Sequence, residues 1–123
     1  MRETDKIRDK VVLVGLNSPV LKRDQNADED TLDELSALVE TAGGETVGIV
    51  LQNRNSPDPR TFIGEGKCAE VKLYCENTEA TMVIFDNDLS PSQLRVLTQA
   101  LGVQVLDRCG LILDIFAQRA RTR

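Results

Sequence analysis

The stretch Met82–Leu106, MVIFDNDLSPSQLRVLTQALGVQVL, contains a predicted strand, a predicted helix and a second predicted strand. Both ends are short apolar runs rich in Val, Ile and Leu, which is typical of buried strands. Between them, Ser90 is a good N-cap, Pro91 suits the first helical position, and Gln93 completes a capping box. Gly102 is a helix stop signal. This unit predicts two parallel strands joined by a crossover helix.

The residues before this unit show the same alternation of strands and helices. The predicted strands cover residues 11–16, 47–51, 82–85 and 103–106, and the predicted helices cover about 32–42, 64–77 and 90–101. The strands lack polar alternation, as expected for strands that are buried on both faces. We therefore predict an α/β fold, a small doubly wound four-stranded parallel sheet of order 2-1-3-4 flanked by helices.

The end of the chain predicts another helix. Leu113, Phe116, Ala117 and Ala120 are spaced as one apolar helix face, and no Gly, Asn or Pro stop signal follows them. We therefore expect a truncated C-terminal helix and a chain that is part of a longer protein. The predicted organisation is a charged N-terminal segment (1–10), an α/β domain (11–109) and the start of a long helix (110–123).

The composition excludes several classes of protein. The chain has 123 residues, 41% of them apolar, and a net charge of −5, which argues against a surface that attracts nucleic acid throughout. We expect no DNA partner. Three cysteines and no histidine disfavour a disulfide framework or a zinc site, so we expect buried free thiols in a reducing cytoplasm. No apolar run is long enough for a membrane span, and the charged N-terminus is not a signal peptide.

Polar residues follow each predicted strand. Because the carboxyl ends of parallel strands share one edge of the sheet, we expect a strand-end crevice there. Its candidate residues are Asn53, Arg54, Asp86, Asp88, Asp107 and Arg108. They include no nucleophile with an adjacent base, so the sequence predicts no catalytic site. A receiver-like phosphoacceptor role for Asp86 is disfavoured because Gly15-Leu-Asn17 replaces the acidic pair that it needs.

The segment Gly64-Glu-Gly66-Lys67 is a candidate anion-binding turn at a helix start. It does not match the phosphate loop Gly-x-x-x-x-Gly-Lys-Ser/Thr, because Thr61 stands at the first glycine position and Cys68 replaces the hydroxyl residue. Two interpretations remain open. The glycines either permit a tight helix entry or bring backbone amides and Lys67 to an anion such as an RNA phosphate.

The terminal arginines are the other candidate nucleic-acid contact. Arg119, Arg121 and Arg123, called the terminal arginines below, form a local basic region on an acidic chain. They are either the solvated side of an exposed helix or contacts to an RNA backbone, together with Lys67.

Three blocks of this sequence resemble the N-terminal domain of the HflX family of ribosome-associated GTPases. They are Arg60–Lys67 (RTFIGEGK), Val83–Arg95 (VIFDNDLSPSQLR) and Val105–Arg123 (VLDRCGLILDIFAQRARTR). The resemblance extends over about residues 11–123, and the last two blocks together are specific. Cys109 departs from the Thr that is common in the family, which we expect to affect packing only.

This resemblance implies that a long antiparallel helical pair and a G domain with the phosphate loop follow the α/β domain. It also implies binding to the large ribosomal subunit and its rRNA, GTP hydrolysis with Mg²⁺ in the absent G domain, and splitting of stalled ribosomes under stress. The expected role of these residues is non-catalytic, with no cofactor of their own, supporting docking and packing on the G domain. The alternative is a stand-alone module that binds a nucleotide or another small ligand.

Overall fold

The computed structural model describes the backbone of residues 9–121 and the side chains of residues 9–114. The strands are β1 (Lys10–Asn17), β2 (Glu45–Asn53), β3 (Met82–Phe85) and β4 (Gln104–Asp107), and the helices are α1 (Glu29–Thr41), α2 (Glu65–Thr78), α3 (Pro91–Leu101) and α4 (Arg108–Arg121). A 3₁₀ helix (Arg23–Gln25) lies in the predicted loop after β1. The strands form one parallel sheet of order β2-β1-β3-β4, which confirms the predicted fold.

Helices cover both faces of the sheet. α1 and α4 contact one face, and α2 and α3 pack together against the other. Alternate residues of β1 point to the two layers, so that Leu13 contacts α1 while Val12 and Val14 contact the α2–α3 layer. β1 is buried along most of its length, as its uninterrupted apolar sequence predicts.

Local capping residues determine where the helices begin. α3 begins with the predicted capping box, in which the Ser90 side chain accepts from the Gln93 amide and the Gln93 side chain accepts from the Ser90 amide. At α1, Asp28 is the N-cap and forms a capping box with Thr31. Gly43, with a φ of 94°, follows the end of α1.

The structure corrects three details of the sequence-based description. β2 is an edge strand with partly exposed residues, and not a buried strand, and its Ile49 is 44% exposed. Cys68 and Cys75 are buried as expected, but Cys109 is exposed. α4 begins at Arg108, directly after β4, because the Asp107 carboxylate accepts a hydrogen bond from the Gly110 amide.

Leu113, the first residue of the apolar face predicted for the last helix, does not pack on this sheet. Among the described side chains of α4, Leu111 is buried, whereas Leu113 is 61% exposed. The side chains of the other predicted members, Phe116, Ala117 and Ala120, lie outside the described residues. Among the residues that the structure describes, no helix has the length and hydropathy of a membrane span.

Candidate functional site

The strand order brings part of the predicted crevice together. β3 and β4 are neighbours in register, with Phe85 opposite Asp107, so the residues that follow the two strands meet at one edge. Asp86 and Arg108 form an ion pair there. The pair joins the end of β3 to the first residue of α4.

Both oxygens of the Asp86 carboxylate are hydrogen-bonded within the fold. One oxygen of its side chain, which is completely buried, accepts from Arg108 Nη2, and the other accepts from Thr31 Oγ1 at 2.5 Å. Arg108 Nη2 also donates to the Thr31 carbonyl at 3.0 Å. Burial raises the pKa of the Asp86 carboxyl, and this effect outweighs the opposing effects of the hydrogen bonds and of the guanidinium charge. Thr31, on α1, was missed as a site residue because its spacing identifies it only as a capping residue.

Asp107 serves as a structural connection within the same edge. One carboxylate oxygen accepts from the Leu89 amide at 3.1 Å, and the other accepts from the Gly110 amide at 2.8 Å. A carboxylate at the N-terminus of α4 is also favoured by the helix dipole. Asp107 therefore fixes the loop after β3 and the start of α4 relative to each other.

Asn87 connects the ends of the two central strands. Its buried side chain accepts from the Leu16 amide at 2.9 Å and donates to the Leu16 and Gln25 carbonyls at 3.0 and 2.8 Å. These bonds hold the 3₁₀ helix after β1 against the loop after β3. The sequence contains no signal for this role, because Asn87 is simply a polar residue between two aspartates.

A cavity of about 120 Å³ lies between these two loops, and we call it the strand-end cavity. Its lining includes Arg23, Asp24, Thr31, Asp86, Asp88 and Arg108. The two arginines and three aspartates give it both signs of charge. No set of three or more His, Cys, Asp or Glu side chains that could hold a metal ion is present in the part of the chain that the structure describes.

The other two predicted crevice residues lie elsewhere. Asn53 lines a separate open depression with Asn17 and Asp28, beside the start of α1. Arg54 turns toward the start of α2, where a Cβ on Gly64 would overlap its guanidinium, and its Nε donates to the Ser56 carbonyl at 2.9 Å. The predicted crevice is therefore divided into two depressions and a separate arginine.

The Gly64–Lys67 turn has the backbone of a helix start. Gly64 is the N-cap of α2 and provides no side-chain cap, and its amide donates to Gln52 Oε1 at 3.3 Å. The Lys67 ammonium lies 3.0 Å from Glu70 Oε1, so an anion at this turn would compete with that carboxylate. The close approach of Arg54 supports an anion-binding role, whereas the Lys67–Glu70 pair weakens it.

The remaining basic candidates lie away from this edge. Arg119 and Arg121 are in the last turn of α4, roughly 17 and 20 Å along the helix axis from Arg108. Their side chains, and all of Arg123, are outside the described residues. Lys67 is on α2, against the opposite face of the sheet, so the structure does not bring it together with the terminal arginines.

The comparisons with known proteins agree with the three sequence blocks. Residues 29–117 match the family described as GTP-binding GTPase N-terminal. GTPase HflX of Caldanaerobacter subterraneus subsp. tengcongensis is 40% identical over 124 residues, covering 100% of this chain and 27% of that protein. GTPase HflX of Escherichia coli K12 is 46% identical over 98 residues, covering 80% of this chain and 23% of that protein.

A solved structure shows the same fold. It is a GTP-binding protein from Sulfolobus solfataricus in complex with GDP, which superposes with a TM-score of 0.65 at 24% identity over 89% of this chain and 30% of that one. The 123 residues thus span only about a quarter to a third of the relatives that they match. By its sequence and its fold, this chain belongs to the GTP-binding GTPase N-terminal family, as the N-terminal domain of an HflX GTPase.

Proposed function

We propose that this domain supports docking of an HflX-type GTPase on the large ribosomal subunit and modulates GTP hydrolysis by the G domain. One observation supports the proposal: the chain belongs to a family of GTPase N-terminal domains, yet its 123 residues contain no phosphate loop. GTP and Mg²⁺ would then bind outside these 123 residues, and the domain would act through contacts with rRNA and the G domain. The proposed location is the cytoplasm, where ribosomes are found.

The charge distribution restricts which surface can face RNA. α1 carries acidic side chains and no basic ones, and its acidic residues Glu29, Asp30, Asp33, Glu34 and Glu40 are all exposed. This surface repels phosphates. We therefore assign the proposed RNA contact to the terminal arginines, with Lys67 as a separate candidate.

Binding to purified large subunits at several salt concentrations tests the docking proposal. Neutralising phosphates releases counterions, so binding should weaken steeply as salt increases. The variant Arg119→Glu with Arg123→Glu should weaken binding and reduce the slope of log K against log salt by about 2. Lys67→Glu tests the second candidate separately.

A matched control changes the net charge equally at other exposed positions. Lys22→Glu with Lys72→Glu reverses two exposed lysines, one before the 3₁₀ helix and one on α2. If the control and the arginine variant lose binding equally, general charge and not a specific contact explains the effect. Unchanged binding of the arginine variant would refute the assignment to the terminal arginines.

The regulatory part of the proposal requires the longer GTPase. GTP turnover should be compared in the presence and absence of large subunits, with the complete protein and with a version that lacks the region equivalent to these 123 residues. We expect the stimulation by large subunits to depend on this region. Equal stimulation of both proteins would contradict the modulatory role.

The Gly64–Lys67 turn and its nearby Arg54 favour a second candidate, a nucleotide-binding module. Calorimetry of the 123-residue chain with GTP and ATP separates the two functions. Saturable binding that is lost in Lys67→Ala would favour the nucleotide-binding module. An absence of binding heat at millimolar nucleotide would contradict the nucleotide-binding module. The docking role would then remain as the proposed function.

A further inference from the structure

The sheet edge formed by β2 lacks most of the features that protect an edge strand. Among the described strands, β2 pairs only with β1, and its nine residues include no proline, lysine or arginine. The opposite edge strand, β4, has only four residues. A bulge at Val47 interrupts the pairing near the start of β2, so residues 48–53 form the regular part of its edge. A long regular edge of this kind is a template for another strand.

Backbone donors and acceptors of β2 point toward this open edge. The Arg54 amide donates to the Asn17 carbonyl at 3.0 Å, so it points toward β1. Because backbone groups alternate in direction along a strand, the amides and carbonyls of Ile49, Leu51 and Asn53 point away from β1. The Ile49 side chain beside them is 44% exposed. These backbone groups can form a parallel or antiparallel ladder with an added strand.

An acidic stripe of α1 lies beside this edge. Ser36 Oγ and Thr46 Oγ1 are 2.9 Å apart, which places the Ser36 side of α1 against β2. Three exposed acidic residues, three, four and seven positions from Ser36, share this side of the helix, and we call them the acidic stripe: Glu29, Asp33 and Glu40. The first of them lines the open depression that also contains Leu51 and Asn53.

The α2 side of the same edge is neutral. The ring of Tyr74, on α2, lies against Gly48 of β2. Lys67 and Glu70 precede Tyr74 by seven and four residues, so they share its side of the helix, and their charges pair at 3.0 Å. A strand added to β2 would therefore have carboxylates beside one of its faces and a neutral surface beside the other.

This distribution of charge distinguishes between possible occupants of the edge. A second copy that paired antiparallel through its own β2 would place two acidic stripes on the same face of the joined sheet, where they repel each other. A strand with lysine or arginine at every second position would place all of these charges on the α1 side, because alternate side chains share a face.

We infer that the β2 edge binds an extended basic peptide of another protein, which adds a fifth strand to the sheet. Its alternate lysine or arginine side chains lie against the acidic stripe, and its intervening side chains lie on the α2 side. Main-chain hydrogen bonds supply affinity, and the charges select the partner. This interaction goes beyond the proposed docking function, because its partner is a protein and it requires neither the terminal arginines nor GTP.

Titration of the isotope-labelled 123-residue chain with the capped peptide Lys-Val-Lys-Val-Lys-Val-Lys, followed by amide NMR, tests the inference. We expect saturable shifts over residues 46–53 with a Kd of about 0.1–1 mM, since a short flexible peptide loses entropy on binding. The amides of Ile49, Leu51 and Asn53 should also become protected from hydrogen exchange, which non-specific charge attraction does not cause.

Three control peptides separate the roles of charge and alternation. We expect no saturation with Glu-Val-Glu-Val-Glu-Val-Glu, and weaker binding of Thr-Val-Thr-Val-Thr-Val-Thr and of Lys-Lys-Lys-Lys-Val-Val-Val. Equal binding of the threonine peptide would overturn the basic character of the partner. Equal binding of the block peptide, or no saturation by the alternating lysine peptide, would overturn strand addition.

Charge variants of α1 test the acidic stripe. Asp33→Asn with Glu40→Gln should weaken binding of the alternating lysine peptide about threefold to tenfold, as expected for two exposed charge contacts. Glu34→Gln with Glu76→Gln is the matched control, because it removes the same charge at exposed positions on other helix sides. Equal weakening by both double variants would show that only net charge matters and would overturn the assignment to the stripe.

An edge variant tests the backbone contact. Ile49→Pro removes an amide that points away from β1, at a position where an edge strand tolerates proline, and it should abolish the saturable shifts. Ile49→Thr keeps this amide and should retain binding within about threefold. Retained binding by Ile49→Pro would overturn strand addition. Shifts over residues 46–53 on dilution of the chain alone would instead identify a second copy as the occupant and overturn the inference.

Discussion

At the scale of single residues, Asp86 is the side chain whose removal should be most damaging. Asp86→Ala leaves the Arg108 guanidinium without its anion and removes one of the two acceptors of Thr31 Oγ1, the other being the Asp28 carbonyl. Asp86 is completely buried but Arg108 is 30% exposed, so removing the carboxylate should cost about 2–3 kcal/mol in unfolding free energy, less than for most fully buried pairs. Urea denaturation measures this loss.

Asp88→Ala is the matched control, because Asp88 lines the same cavity but is exposed. Its effect on the unfolding free energy should stay within about 0.5 kcal/mol. Similar losses in both variants would show that the ion pair is not the important contact of Asp86.

From the environment of Asp58 we predict that the unfolding free energy of the domain depends on pH. Its Oδ1 accepts from the Arg60 and Thr61 amides at 2.8 and 3.1 Å, and these bonds hold the pKa of the carboxyl below its ordinary value of 3.8. The stabilisation is therefore complete above about pH 4 and is lost as the pH falls through the lowered pKa. Asp58→Ala should cost about 1 kcal/mol at pH 7 and progressively less below pH 4, measured by urea denaturation. A difference that is independent of pH would contradict this role.

At the scale of elements, the packing of α2 on β2 depends on Gly48. A Cβ at this position would overlap the ring of Tyr74, on α2. Gly48→Ala should lower the unfolding free energy by about 1–3 kcal/mol, as overpacking usually does. Thermal and urea denaturation measure the change.

Gly66→Ala is the control for Gly48→Ala. Gly66 lies in the first turn of α2, and a Cβ there would meet open space. The substitution should stabilise the domain by up to about 1 kcal/mol, because alanine favours helix and restricts the unfolded chain. Destabilisation by both substitutions would mean that the steric explanation for Gly48 is wrong.

The same elements show which parts of the fold local sequence can predict. The ends of α3 were predicted closely because Ser90, Pro91, Gln93 and Gly102 act within one turn of the chain. The exposure of β2 was missed because its apolar sequence is that of a buried strand, and only its position at the end of the order of the described strands makes it an edge.

At the scale of the whole molecule, the rates at which the three cysteine thiols react with a thiol reagent measure the opening of the core. Cys109 is exposed and should react rapidly with a thiol reagent. Cys68 and Cys75 are buried, and burial raises the pKa of both thiols, so their thiolates form less readily. We expect one fast reaction and two slow ones whose rate follows the opening of the core, with Cys109→Ser showing only the slow pair. Three equally fast reactions would contradict the described packing.

The sheet edge around the strand-end cavity shows which parts of the candidate site could be predicted from the sequence. The parallel order predicted that Asp86, Asp107 and Arg108 would meet at one edge, which they do. The cavity was not predictable, because it depends on side-chain directions and on a 3₁₀ helix inside a polar loop. For the same reason, the separation of Arg54 from this edge was not predicted.

The direct junction between β4 and α4 has a mechanical consequence. β4 ends at Asp107 and α4 begins at Arg108. Both residues are hydrogen-bonded to neighbouring elements, so no hinge residue separates the sheet from the helix. α4, with 14 residues, is roughly 21 Å long. On that length, a rotation of about 10° at the junction displaces the far end by about 4 Å. A small rotation around Arg108 therefore displaces the far end of α4 by about the distance between two consecutive Cα atoms of the chain.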